Sequence, residues 1–351
     1  MKFPKFALPL FLIASSIHEL PAVTVDFVPV VNAGDPGSPG EEGVVPYSYE
    51  IGRHEVTNQQ YAAFLNAVAK SDPNALYNPL MGTEPEGGIN RSGADGSYQY
   101  AVKAGRGNFP VNYVSIFDAW RFVNWLTNGQ PAGAQSSATT ESGVYHLNGQ
   151  SSLQAFSADF EVWSGGGFAL PNAYEWVKAA YFDRQSGSFY DYPGSNSAPV
   201  AEAAPGGSNS ANYLDAVGGL TASGAYTQTT GPYGTSDQAG NVKEWTDSIN
   251  VANNLAARRG GGFSSPLPDL ARANFENADP LDEGPDSGFR IVRKMWGPYS
   301  FVAAGHVDTG DFLDVLWVTL DPWVWSGKMQ KWLYADSTEV ADGGGWIYIP
   351  R

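Results

Sequence analysis

The sequence predicts a loop-rich globular fold that mixes helices and strands, and three observations predict it. Glycine and proline number 41 and 24 among 351 residues, while charged residues are only 16 % and aromatics 13 %. That composition suits neither a helical bundle nor a disordered chain. Three stretches carry helical spacing behind a capping residue, and the segments between them are rich in turn formers. Several short alternating runs read as strands, the last of them dense in tryptophan. A chain of this length buries a sizeable core, as two domains or one large one.

From the N-terminus, Lys2 and Lys5 precede an apolar run from Phe6 to Ala14 and then small residues. This is the pattern of a secretory signal peptide over residues 1–22, and the run is too short to span a bilayer. The expected location is therefore periplasmic, cell-surface or extracellular. "NAGDPGSPGEEG" (32–43) is a loop, and "YSYEIGRHEVT" alternates like a strand. Thr57 caps a helix whose apolar positions are Tyr61, Phe64, Leu65 and Val68. A second helix follows Ser115, with Asp118 at its third position, Ala119, Phe122, Val123 and Leu126 inward, and Gly129 just past its end.

Asn172 and Glu175 have capping-box spacing before a third helix. Residues 184–236 then show little periodicity, and an ordered segment of that length needs pinning by something other than a core, such as metal ions. "ARRGGGFSS" and "SGFRIVRKM" read as short strands. After Met295 the composition changes: "WVW" (323–325), "WLY" (332–334) and "WIY" (346–348) suggest a small β-meander over 296–351. Its tryptophans admit two readings, a surface that stacks on sugars or the core of the module. The small size of a module without disulfides favours core.

Charge and residue usage exclude several functions. With 36 acidic against 20 basic residues, the net charge is −16 and argues against nucleic acid or anionic membranes as partners. The absence of cysteine removes thiolate catalysis, iron–sulfur clusters and zinc–thiolate sites. The four histidines, His18, His54, His146 and His306, form no pair at helical spacing and read as structural.

Six stretches, in order, resemble the formylglycine-generating-enzyme family of sulfatase-modifying factors. They are "IGRHEVTNQQYAAFLNAV" (51–68), "FPVNYVSIFDAWRFVNWL" (109–126), "ALPNAYEWVKAAY" (169–181), "DQAGNVKEW" (237–245), "RRGGGFSS" (258–265) and "SGFRIVRK" (287–294). The resemblance implies an α+β, C-type-lectin-like fold with much irregular structure across residues 23–295. It also locates a departure. Where family enzymes bind copper(I) with two cysteines, this chain carries Ser265 and Leu270, and neither supplies the soft thiolate that copper(I) requires. No copper and no formylglycine generation are expected.

The resemblance further implies structural calcium. One ion would take the Asp237 and Glu244 side chains with the Gly240 and Val242 carbonyls; a second would take Asn212 and the Tyr213 carbonyl, with Asp215 as a further candidate, and Glu55 would belong to an ion site without being assigned to either. Carboxylates mixed with carbonyls suit a hard cation that takes six to eight oxygens. From the residues alone, Asp237 and Asn241 read as ordinary turn formers. The expected function is a non-catalytic, exported binding or scaffold protein whose partner is a protein or polysaccharide. The alternative is an enzyme with a non-cysteine site near Arg259–Ser265.

Overall fold

Each of the three expected helices forms behind its capping residue. In this computed structural model, which describes residues 22–31, 43–155, 157–158, 163–201, 205–296, 299–303, 306–309, 313, 315–320 and 323–335, they span Asn58–Val68, Ile116–Thr127 and Ala173–Tyr181. All three start with a complete capping box, from Thr57 and Gln60, Ser115 and Asp118, and Asn172 and Glu175. The reciprocal bonds satisfy backbone N–H groups that the first turn leaves unpaired. The expected signal segment, except Ala22, and the "WIY" run lie outside the described residues. Among the described residues, no helix is long and apolar enough to cross a membrane.

The Ile116–Thr127 helix differs from its amphipathic reading, because eleven of its twelve residues are buried. Its polar side chains are therefore matched inside the protein, as burial requires. Arg121 Nε meets Glu141 at 2.8 Å, and Asn124 donates to the Thr140 and Tyr145 carbonyls while accepting the Tyr145 N–H. Around it, the rings of Tyr61, Phe64, Phe122, Trp125 and Phe289 pack at centroid distances of 5.3–6.0 Å.

Two four-stranded sheets flank this core. One runs in the order Phe27–Val30, Tyr49–Gly52, Val292–Lys294, Phe168–Ala169, so strands from both ends of the domain pair, with Ile51 opposite Val292. The other runs Glu276–Ala278, Leu255–Arg259, Lys243–Asn250, Ser287–Gly288, with Glu244 opposite Arg259 on one side and Gly288 on the other. Its inward Trp245 is fully buried, as a core residue.

The segment 184–236 contains only two-residue strands and turns among its described residues. Protein hydrogen bonds reach it from outside. Asn241 Oδ1 accepts the Thr221 N–H, and Asp237 accepts the Gly224 N–H. Within the segment, Thr229 Oγ1 accepts the Ser210 N–H, and Asn209 donates to the Ser197 and Ala198 carbonyls.

A five-stranded antiparallel sheet follows in simple meander order: Phe301–Ala303, His306–Asp308, Val315–Leu320, Trp323–Ser326, Lys331–Tyr334. Here the structure reverses the core reading of the tryptophans. Val307, Leu316, Val318, Val324 and Leu333 fill the buried face with Trp296 and Phe301, while Trp317, Trp323, Trp332 and Tyr334 are exposed. The small aliphatic side chains close the core on one side of the pleat, so the rings fall on the other.

Candidate functional site

The stretch Asp237–Glu244 begins as a turn of left-handed residues: Asp237, Gly240 and Asn241 have φ of 58°, 79° and 64°. Aspartate, glycine and asparagine are the residue types that tolerate this conformation. A Cβ at Gly240 would lie 2.1 Å from the Asn212 carbonyl oxygen, so only glycine lets the two segments meet. The Asn241 N–H donates to that same carbonyl at 2.9 Å.

Asn241 is the hub of a buried polar cluster. Its Nδ2 donates to Glu55 Oε1 at 2.9 Å, and its Oδ1 accepts Asn212 Nδ2 as well as Thr221. Burial, followed by the charge of Asp237, pushes the Glu55 carboxyl up to about 8. Burial likewise raises Asp237 to about 6, against the Gly224 N–H that favours its charge.

Glu244 follows on the strand, and its carboxylate is engaged by other side chains. Arg290 donates to it through Nε and Nη2, each at 2.6 Å, and Trp176 Nε1 donates at 2.7 Å. Arg290 also donates to the Gly52 and Ser236 carbonyls. Burial opposes the charged form of Arg290, but the Glu244 carboxylate outweighs it and holds the guanidinium firmly protonated.

This arrangement bears on the two expected ions. For the set of Asp237, Gly240, Val242 and Glu244, the fit fails at Glu244: a guanidinium already occupies its carboxylate, and a second cation there would be repelled. For the pair of Asn212 and Tyr213, the fit is better. Asn212 Oδ1 is buried with no hydrogen-bond partner, and so is Glu55 Oε2. Such orphaned oxygens are uncommon in native interiors and are the donors a hard cation takes. The Tyr213 carbonyl accepts only the Ala216 N–H among the backbone bonds described. Leu214 and Asp215 follow with φ of 55° and 54°, and Asp215 is exposed. Among the described residues, no three His, Cys, Asp or Glu side chains are arranged to hold a metal.

Beside the second sheet lies a groove of about 300 Å³ lined by Lys243, Arg258, Arg259, Asn274, Phe275 and Glu276. Two of its basic side chains, Lys243 and Arg258, are matched by carboxylates. Arg258 reaches Glu276 at 3.0 Å and Asp282 at 2.6 Å, and it stacks over the Trp245 ring. Burial, helped by the neighbouring Arg272, lowers Arg259 to about 10. At one end of the groove Gly261 leads to Ser265, whose Oγ accepts the Gly262 N–H at 3.0 Å, and to Leu270, which is fully buried. Leu270 packs with Ala211, Tyr213 and Ala239.

A family profile described as the sulfatase-modifying factor enzyme 1-like domain matches residues 30–295. The chain belongs to this family. Among solved structures, Treponema denticola variable protein 1 is similar at 19 % identity and a TM-score of 0.50, covering 79 % of this chain and 98 % of that one. CarF is similar at 20 % identity and a TM-score of 0.47, over 78 % of this chain and 99 % of its own. PvdO from Pseudomonas aeruginosa is similar at 19 % identity and a TM-score of 0.43, over 77 % and 94 %. These likenesses concern the fold alone. No curated protein matches the chain by sequence.

Within this sulfatase-modifying-factor domain, sequence reasoning missed Arg290 and Trp176 as the partners of Glu244. The signal was present in "GFRIV", where an arginine interrupts an apolar run. An arginine buried with such neighbours must have a counter-charge. It also missed Asn241 as the residue that joins Glu55, Asn212 and Thr221.

Proposed function

We propose that this protein is an exported, non-catalytic binding or scaffold member of the sulfatase-modifying factor family, with calcium as a structural ion at Asn212 and Tyr213. The observation that carries the reading is the pair of positions matching the family's cysteines. Ser265 is a buried hydroxyl committed to the Gly262 N–H, and Leu270 is a core side chain. Neither offers a soft donor, so copper(I) has no ligand there.

Calcium at Asn212 would use the orphaned Oδ1 and the Tyr213 carbonyl, with the Glu55 carboxyl joined to Asn212 through Asn241. It would neutralise buried charge and tie the 210–224 segment to the rest of the domain. The test is the metal content of the purified protein by mass spectrometry, with melting curves in chelator. One calcium per chain, a lower Tm in chelator and no copper are expected. Stoichiometric copper(I), or consumption of a cysteine-bearing sulfatase peptide, overturns the non-catalytic reading; absence of calcium with an unchanged Tm overturns the ion.

A second reading, an enzyme with a non-cysteine site near Arg259–Ser265, is favoured by the open groove of about 300 Å³. Against it, Glu276 is held below its usual range, because Arg258 and Lys243 outweigh the burial that would raise it. An ion-paired carboxylate is a poor general base, and no histidine lines the groove.

A further inference from the structure

We propose that the outer face of the C-terminal sheet is a binding platform for an uncharged polysaccharide chain. This gives the binding reading a ligand class at a second site, away from the family domain's groove. Trp317, Trp325 and Trp332 are directly opposite one another across three adjacent strands. Their rings form one cluster, with Trp332 centroids 5.7 Å from Trp317 and 5.6 Å from Trp325. Trp323 and Tyr334, also opposite one another, make a second cluster at 5.4 Å. The two clusters are two residues apart along the same strands, about 7 Å, so neighbouring sugar rings of one chain can rest on both.

The chemistry of the face selects the ligand. Trp317, Trp323, Trp332 and Tyr334 are 37–43 % exposed, although among the described residues Val307, Leu316, Val318, Val324 and Leu333 already form a buried core with Trp296 and Phe301. Packing therefore does not account for the rings on the outside. Pyranose rings present C–H patches that rest on aromatic faces, while indole N–H and phenol O–H groups at the ring edges meet hydroxyls. Among the described side chains of these strands, the exposed hydrophobic ones are Val315, Trp317, Trp323, Trp332 and Tyr334, so aromatics dominate a face where protein-binding surfaces mix in more aliphatic residues.

Other occupants fit less well. The exposed rings amount to roughly 400 Å², taking about 250 Å² for a whole tryptophan. That is about half of the ~800 Å² each partner contributes to a standard interface, so a second copy is too weakly held by this face alone. Single-stranded nucleic acid also stacks on aromatic rings, but a chain of net charge −16 repels its phosphates. The same charge disfavours an anionic membrane.

The experiment is affinity electrophoresis of the full chain in native gels containing hydroxyethylcellulose, laminarin, xylan or dextran. At least one polysaccharide should retard migration. Trp332→Ala and Trp323→Ala should each weaken binding tenfold or more, with the far-ultraviolet circular dichroism of the full chain unchanged. Trp332→Phe should keep most of the binding, and Leu281→Ala, in the family domain, all of it. Migration unaffected by all four polysaccharides overturns the proposal. So does retardation insensitive to both tryptophan replacements, or a dimer in sedimentation that those replacements abolish, which would make the face a self-association surface. The copper and calcium measurements read a different part of the chain, so failure here leaves the non-catalytic reading standing.

Discussion

Glu244 and Arg290 form a two-pronged ion pair with no exposure to solvent, both contacts being 2.6 Å. The pair ties one of the two inner strands of the second sheet to the segment that leads into the first sheet. Trp176 adds a third donor from the Ala173–Tyr181 helix.

Removing one partner should therefore be far worse than removing both. Arg290→Met leaves a buried, uncompensated carboxylate, a change that typically costs about 3–5 kcal/mol. Combining it with Glu244→Gln should recover a substantial part of that loss. Urea titrations of the two single variants and the double variant measure the difference, and simple additivity would show that the pair is not coupled.

Gly240→Ala should destabilise by at least roughly 2 kcal/mol, from the left-handed backbone and the collision with the Asn212 carbonyl together. Gly218→Ala isolates the first effect: its φ is 75°, but a Cβ there meets nothing within 4 Å. Its expected cost is about 1–2 kcal/mol. Equal costs at the two positions, read from thermal melts, would mean that the Asn212 segment gives way.

Stability should fall as pH rises through the range of Asp247. This buried carboxyl accepts Trp120 Nε1 at 2.7 Å and the Tyr145 hydroxyl at 2.5 Å. Burial raises it to about 7 in spite of those donors. A raised carboxyl keeps its proton in the folded protein after the unfolded chain has released its own near pH 4. Its contribution is thus complete below about 4 and lost on the way to about 7, on the order of a few kcal/mol. Asp247→Asn should flatten the decline, as followed by denaturant midpoints between pH 4 and 8.

Asn241→Ala should loosen the 212–224 segment more than it lowers global stability. It removes the acceptor of Thr221 and the donor to Glu55. Limited proteolysis should cut first between residues 214 and 225, which the parent protein resists. An unchanged cleavage pattern would show that the segment is held elsewhere.

The helices and their boundaries were legible because a capping box is local. Thr57 and Gln60, Ser115 and Asp118, and Asn172 and Glu175 are each three residues apart, and the bonds they form involve no tertiary partner. A buried arginine was legible in "GFRIV", but not which acid pairs with it, because Glu244 is 46 residues away and no local pattern names it. The resemblance implies an ion at Glu244, a position where the structure places the Arg290 guanidinium. The orientation of the tail sheet was hidden for another reason. In "WVW" and "WLY" both sets of alternating residues are apolar, so a period of two reveals a strand without saying which face is buried. Side-chain bulk suggests that the rings go inside; the described strands of the meander instead bury Val307, Leu316, Val318, Val324 and Leu333.

The division of the tryptophans between interior and surface also gives the molecule two optical reporters. Trp120, Trp176 and Trp245 are sealed inside the family domain, and each indole N–H is committed to an oxygen there. Trp317, Trp323 and Trp332 face solvent on the terminal sheet. A collisional quencher such as iodide reaches only the second group, while a red shift on denaturation reports mainly the first. Events at the terminal sheet and unfolding of the domain can therefore be followed separately in one unlabelled sample.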